Sequence, residues 1–270
     1  MQRIREENKS RILNATVKYR TLMPRIGSRK LYYMLKKENA ALMKGIGRDK
    51  YYGILGIEGL LLKRRRRIKS YYSKAEEQKG IENLKKETTV SRRNYLLESD
   101  ITVLYTQSGK LSLALCIDVY SRKIIGWYLG RKMCSEDVIE ALRMASKGRE
   151  EELIGSIHHS DQGCQYCSKE YRFEIERLGM KISLSKRGTP TEAAYIERVN
   201  NTLKNEFNLK KTFKDYEQAE EDVIRSILIY NNVRPHMSLG YKTPSKVYNG
   251  NELNNKLTPL GLRPQGVNFK

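Results

Sequence analysis

The hydrophobic period changes near residue 100, and a single uniform layer cannot accommodate both halves of the chain. Before that point apolar residues recur at helical spacing: Ile4, Ile12, Leu13 and Val17, then Leu31, Met34 and Leu35. Beyond it, residues 101–106, 111–120 and 123–129 are β-rich runs. They are separated by Gln107-Ser108-Gly109 and Ser121-Arg122, the pattern of a three-strand antiparallel meander. Helix and strand then alternate: a helix over 136–146, a strand over 153–158 leading to Asp161, a helix over 170–179, a strand over 181–185, and helices over 190–208 and 215–230. That order predicts an α/β layer, a mixed sheet with helices on both faces.

The first 67 residues predict a small all-α unit. Breaks at Pro24 and Gly27, and again at Gly45 and Gly47, divide it into helices over 1–20, 29–38 and 48–55, with Ser28 as an N-cap. Residues 1–75 hold 21 Lys or Arg against 5 Asp or Glu, most of the formal +21 of the whole chain. Clustered cations of this kind suit a polyanion, because they neutralise phosphates and release condensed counterions. Short helices with glycine turns and this charge suggest a helix-turn-helix unit whose third helix enters a DNA groove, with Arg48, Lys50 and Tyr51 reaching bases or phosphates. Arg64, Arg65, Arg66 and Arg67 read as an arm that grips phosphates. Residues 68–95 have the polar composition of a linker, 96–245 form the α/β core, and 246–270 are left as a tail without periodicity.

Three acids stand out. Asp100 opens the first β-run in Ser99-Asp100-Ile101-Thr102, and Asp161 closes the fourth in His159-Ser160-Asp161-Gln162-Gly163. Glu197 sits in a helix whose start reads as a capping box, with Thr189, Pro190 and Glu192 at N-cap, N1 and N3. Ile196, Val199, Leu203 and Phe207 make that helix's core face, while Glu197, Asn201 and Lys204 line a neighbouring one. Carboxylates alone make a hard, all-oxygen site suited to Mg²⁺ or Mn²⁺. Two such ions ~3.5–4 Å apart activate the attacking oxygen and stabilise the leaving oxygen of an in-line displacement.

These strings carry a resemblance. Ser99–Thr102, the run from Cys116 to Trp127, His159–Gly163, Ala194–Glu197, Thr202–Glu206, Tyr230–His236 and Leu239-Gly240-Tyr241 together resemble the integrase-type core of insertion-sequence transposases. Within that group the chain is most similar to the second-frame protein, OrfB, of the insertion-sequence-three family. The 35 residues between Asp161 and Glu197 match the spacing of its Asp-Asp-35-Glu triad. The resemblance implies a ribonuclease-H-like mixed five-stranded sheet in which Asp100, Asp161 and Glu197 bind two metal ions. It also implies 3′-end cleavage and strand transfer on double-stranded DNA, with Lys186, Arg187, Asn201 and Lys204 along the DNA. Expected partners are the element's ends, a target duplex, a second copy of the chain and an upstream OrfA protein. Two positions depart from the family: Leu97 replaces a tryptophan, and Glu192-Ala193-Ala194 stands where Asp-Asn-Ala is usual.

Other features read as structural. Cys164-x-x-Cys167 lacks a second ligand pair for zinc, His236 is expected to fix a turn, and Asp118 either adds a fourth acid or pairs with Arg122. No apolar run approaches the ~20 residues of a membrane span. Met1 is followed by charged residues rather than an apolar leader, so a cytoplasmic, nucleoid-associated location is expected. The alternative function, a DNA-binding regulator or an inactive relic, is disfavoured by the intact triad. A nuclease without joining activity would share the same residues.

Overall fold

The computed structural model describes residues 2–62, 81–186 and 190–250. Three helices come first, α1 (Gln2–Leu22), α2 (Ser28–Glu38) and α3 (Arg48–Ile57). The expected start of α2 shifts by one residue: Gly27 is the N-cap and Ser28 is the first helical residue. Leu31, Met34 and Leu35 are buried as the spacing predicts, and so are Ile12, Met23, Ile26, Tyr51 and Leu55.

The α/β core follows as β1 (Leu96–Thr106), β2 (Gly109–Asp118), β3 (Ile124–Gly130), α4 (Ser135–Ser146), α5 (Glu150–Leu153), β4 (Ile157–Ser160), α6 (Lys169–Arg177), β5 (Lys181–Leu184), α7 (Ala194–Glu206), β6 (Thr212–Phe213), α8 (Tyr216–Asn232) and α9 (Pro244–Tyr248). The sheet order is β3-β2-β1-β4-β5. β1 to β3 form the expected antiparallel meander, β4 and β5 run parallel to β1, and the short β6 adds to β1. This is the ribonuclease-H-like arrangement, with β1 at its centre.

β1 starts at Leu96, well before the predicted residue 101, so Asp100 lies inside the strand rather than at its opening. The acids and hydroxyls Glu98, Ser99 and Asp100 interrupt the alternation that marks a strand in sequence. Residues 81–95, expected as linker, pack on the core: Leu84 and Val90 lie against Leu96, Val119 and Ile157, and the Leu84 N–H donates to Ser183 Oγ at 3.0 Å. Arg64 to Arg67 lie outside the described residues.

Both faces of the sheet are covered, which explains why β2 is buried almost throughout. Leu111, Leu113, Leu115 and Ile117 pack with Ile196, Val199 and Leu203 of α7 and Val223 and Ile227 of α8. Ala114 and Cys116 face α4 and α6. On β1 the same alternation puts Leu97 and Ile101 on the α4/α6 side, leaving Glu98 and Asp100 toward α7.

The conspicuous run Tyr230–His236 works as a brace. Asn231 satisfies both backbone groups of Ile124 on edge strand β3, and Tyr230 Oη donates to the Arg122 carbonyl. Arg234 forks onto Glu206 at 2.8 and 2.9 Å, Lys30 of α2 reaches the same carboxylate at 2.5 Å, and the Arg25 N–H donates to the Glu206 carbonyl. Burial pushes Glu206 upward, but Arg234 and Lys30 outweigh it and hold the carboxyl below its ordinary range. Tyr33 stacks on Tyr241 at 4.1 Å, so the N-terminal helices seat against the far end of α7 and the segment after α8. His236 does fix a turn, pairing its backbone with Lys242 while Arg234 meets its ring.

Helix α4 rides directly on β3 at Gly126, where an added Cβ would fall on the Ala141 carbonyl and 2.8 Å from Ala145 Cβ. Gly126→Ala should therefore lower unfolding free energy by about 1–3 kcal/mol through overpacking. Gly53→Ala, in the exposed interior of α3 with open space around it, should raise it by about 0.4–1 kcal/mol. Urea titrations of the two variants check the opposite signs.

Candidate active site

Strand register builds the site. Leu96, Leu97 and Glu98 of β1 pair in parallel with Ile157, His158 and His159 of β4. The pairing ends at Glu98 and His159; two residues on, Asp161 follows β4 with the facing of His159, close enough for its carboxylate to act on Asp100. Asp100 is half-buried. Its Oδ1 accepts from the Ile101 N–H at 2.9 Å and its Oδ2 from Asn200 Nδ2 at 2.7 Å. Asp161 is exposed just past β4, and its Oδ1 accepts from the Gly163 N–H at 3.0 Å.

Burial, with the Asp161 carboxylate adding to it, pushes Asp100 up to about 7 against the opposing pull of Asn200, the Ile101 N–H and Lys204. Lys204 is itself lowered by burial, partly offset by Asp100. Two hard oxygen donors that repel each other have the donor chemistry a divalent cation would satisfy.

Glu197 is exposed on α7, one helical turn before Asn200 and two before Lys204. It shares the stripe that Asn200 presses onto Asp100. Among the described residues, however, no three His, Cys, Asp or Glu side chains gather into a metal-holding group. The structure thus brings Asp100 and Asp161 near each other and lays the Glu197-bearing helix over them, with Glu197 outside the pair.

Asn200, not the expected Asn201, reaches Asp100; Asn201 is exposed. The signal for Asn200 was its position three residues after Glu197, but it was hidden because Asn200 also borders the apolar face beside Val199 and Leu203. A second overlooked residue is Glu98, fully buried two positions before Asp100, which accepts from the Ile196 N–H at 2.9 Å. The expected capping box rests on Thr189, which lies outside the described residues, as does Arg187. α7 begins after a 3₁₀ turn, Pro190–Ala193, its N-cap is Ala193, and Glu192 accepts from the Lys186 N–H.

Of the predicted DNA contacts, Arg48 and Lys50 are exposed at the start of α3, Arg48 bonded to Asp49 at 2.8 Å. Tyr51 is not available: it is fully buried, its hydroxyl bonded to Thr16 Oγ1 at 3.0 Å, because on this helix it points to the same core as Leu55. Lys186 is exposed at the end of β5. Asp118 neither joins the site nor pairs through its carboxylate with the Arg122 side chain; it is buried at the far end of β2, accepting from Ser121 and the Asn94 N–H. His158 and His159 are held neutral by burial, pushed down to about 3 and about 4.

A sheet of this order, with paired carboxylates on its first and fourth strands beneath a helix, defines an integrase-type core. Integrase core domain families match residues 90–190 and 178–244. The transposase of element IS904 from Lactococcus lactis is 36% identical over 54% of this chain and 57% of its own length. The InsF transposase of IS3A from Escherichia coli is 32% identical over 62% of this chain and 58% of its own. The IS629 transposase of Shigella sonnei is 26% identical over 82% of this chain and 72% of its own. The chain thus spans somewhat over half the length of the first two relatives. Among solved structures, an integrase catalytic core of HTLV-2 aligns with 58% of this chain and 97% of its own at 19% identity and a TM-score of 0.45. An intasome of simian T-cell lymphotropic virus aligns with 90% of this chain and 81% of its own at 17% identity and a TM-score of 0.48. Residues 90–244 thus match integrase core domains, and the chain is similar to transposases of insertion sequences such as IS904 and IS3A.

Because Asp100 is harder to ionise in the fold than in the unfolded chain, its contribution to stability is complete below the unfolded value of about 3.9 and is lost as pH rises through about 7. Asparagine mimics the protonated acid. In EDTA, Asp100→Asn should therefore melt near wild type at pH 4 and increasingly higher from there to pH 8, by about 2–4 °C for each kcal/mol relieved. A melting difference that is the same at both pH values would contradict the carboxylate pairing.

Proposed function

We propose that the chain is an active DNA transposase that hydrolyses a phosphodiester at the 3′ end of its element and transfers the freed hydroxyl onto target DNA. The observation that carries this reading is the Asp100–Asp161 pair, brought near each other by the parallel β1–β4 register and overlaid by the helix that bears Glu197. Asp100, Asp161 and Glu197 would hold two Mg²⁺ or Mn²⁺ ions, which when bound supply activation of the attacking oxygen and stabilisation of the leaving oxygen.

The chain's own side chains have distinct tasks. Asn200 orients Asp100 by donating to Oδ2, which leaves Oδ1 toward the Ile101 N–H. Lys204, half-buried and acting on Asp100, balances negative charge and contacts a DNA phosphate at the site. Arg48 and Lys50 supply phosphate contacts from the N-terminal helices, with Lys186 and Asn201 on the core. For Arg64 to Arg67 and Arg187 the same role rests on sequence. Joining two ends requires at least two copies of the chain, and an upstream OrfA protein is the proposed partner for end recognition. No described helix is long and apolar enough to cross a membrane; we assign the protein to the bacterial cytoplasm, at the nucleoid.

Strand transfer on duplexes carrying the repeats that flank the gene tests the proposal. Asp100→Asn, Asp161→Asn and Glu197→Gln should each reduce cleavage and joining at least a thousandfold, with DNA affinity within about twofold of wild type. Wild-type protein that cleaves without joining would mark a nuclease. Wild-type protein that binds and does neither would mark an inactive copy.

A further inference from the structure

α7 starts without a side-chain cap of its own. Ala193 occupies the N-cap position and accepts nothing through its side chain, so the first amides of the helix need partners from elsewhere. The N3 amide, that of Ile196, donates to Glu98 Oε2 at 2.9 Å across the gap between β1 and α7. A carboxylate two residues before Asp100, on the same face of β1, therefore does what an N-cap side chain does in other helices. It also sits at the end of the helix where negative charge is favoured.

Glu98 is fully buried, and its other oxygen is met at 2.5 Å by Lys85 Nζ, whose side chain is 16% exposed. Lys85 comes from the 3₁₀ turn Leu84–Glu87 that precedes the sheet and is itself tied to β5 through Ser183. The same ammonium donates to the Glu192 carbonyl and lies 5.1 Å from the Tyr195 ring, whose face also takes Arg122 at 3.6 Å. Lys85 and Glu98 thus hold residues 192, 195 and 196, the stretch that ends immediately before Glu197. The Glu192 side chain adds a tether one turn earlier, accepting from the Lys186 N–H and pairing with Lys86 at 3.0 Å, but the amide inside the first turn of α7 is held by Glu98.

We infer that Lys85 and Glu98 are a positioning pair that sets the first turn of α7, and with it the approach of Glu197 to Asp100 and Asp161. This rests on the transposase reading above. Glu197 is exposed, and its side chain bonds to none of the described residues, so its reach toward the aspartates depends on where the helix start is held. Neither residue touches the reacting groups: the pair acts through the backbone of α7.

The test uses the full chain in two settings. In metal-free protein, hydrogen exchange of the segment 192–200 should be about tenfold faster in Lys85→Met/Glu98→Gln than in wild type, with β1 to β4 protected as before. In joining assays the same variant should need several-fold more Mn²⁺ for half-maximal rate while binding duplex DNA as wild type does. Lys85→Arg, which keeps the ion pair, should retain both the protection and the metal requirement, whereas Lys85→Gln should lose them; this second pair serves if the double variant does not fold. Wild-type exchange at α7 in the double variant, or an equal loss of protection across the whole sheet, would overturn the inference. If wild-type protein shows no joining, the functional reading fails, and the exchange comparison still decides the role of the pair.

Discussion

The parallel register between β1 and β4 is the constraint on which the site depends. A slip of one residue would turn Asp161 to the opposite face of the sheet, because strand side chains alternate with a period of two. With the register as observed, Asp161 follows β4 on the face of Asp100, and Asp100, desolvated and near that second carboxylate, resists ionisation. The surrounding structure tolerates this because the Ile101 N–H, Asn200 and Lys204 offset part of the cost. Such unrelieved repulsion has a simple chemical use, as a place where a divalent cation lowers the energy of the folded chain.

The same face of β1 carries a second carboxylate with a different environment. Glu98 meets a helix N–H and an ammonium, whereas Asp100, for all its N–H, amide and ammonium neighbours, also faces Asp161. Two residues along one strand, Glu98 is bound into the scaffold and Asp100 is left with charge to spare. At the other end of α7, Glu206 gathers Arg234 and Lys30 and receives the N-terminal helices. The helix that bears Glu197 is therefore held at both ends by acids whose partners come from segments preceding and following the sheet.

Much of this was legible without coordinates. The change of period at residue 100 marked the helical unit and the meander, and the spacing of Asp161 and Glu197 marked the triad. Where the reading of the first strand went astray, charge was the reason. Glu98, Ser99 and Asp100 break the apolar alternation of β1, so its first five residues looked like loop; the helix expected from residue 190 begins as a 3₁₀ turn and becomes α7 only at Ala194. Tyr51 looked like a groove-facing side chain because an amphipathic tyrosine fits either side of a helix, and its burial follows from α1 packing over it through Thr16.

Residue order alone determined most element types and the basic character of the N-terminal segment, and it singled out Asp100, Asp161 and Glu197 as candidates, because these depend on local periodicity, composition and spacing. Only the tertiary structure decided that Asn200 rather than Asn201 meets Asp100, that Glu98 caps α7 from another element, and that Tyr230–His236 braces an edge strand and a domain contact. The reason is physical: each of these is a hydrogen bond or ion pair between segments far apart in sequence, where geometry depends on how helices and strands pack. No local pattern along the chain records that packing.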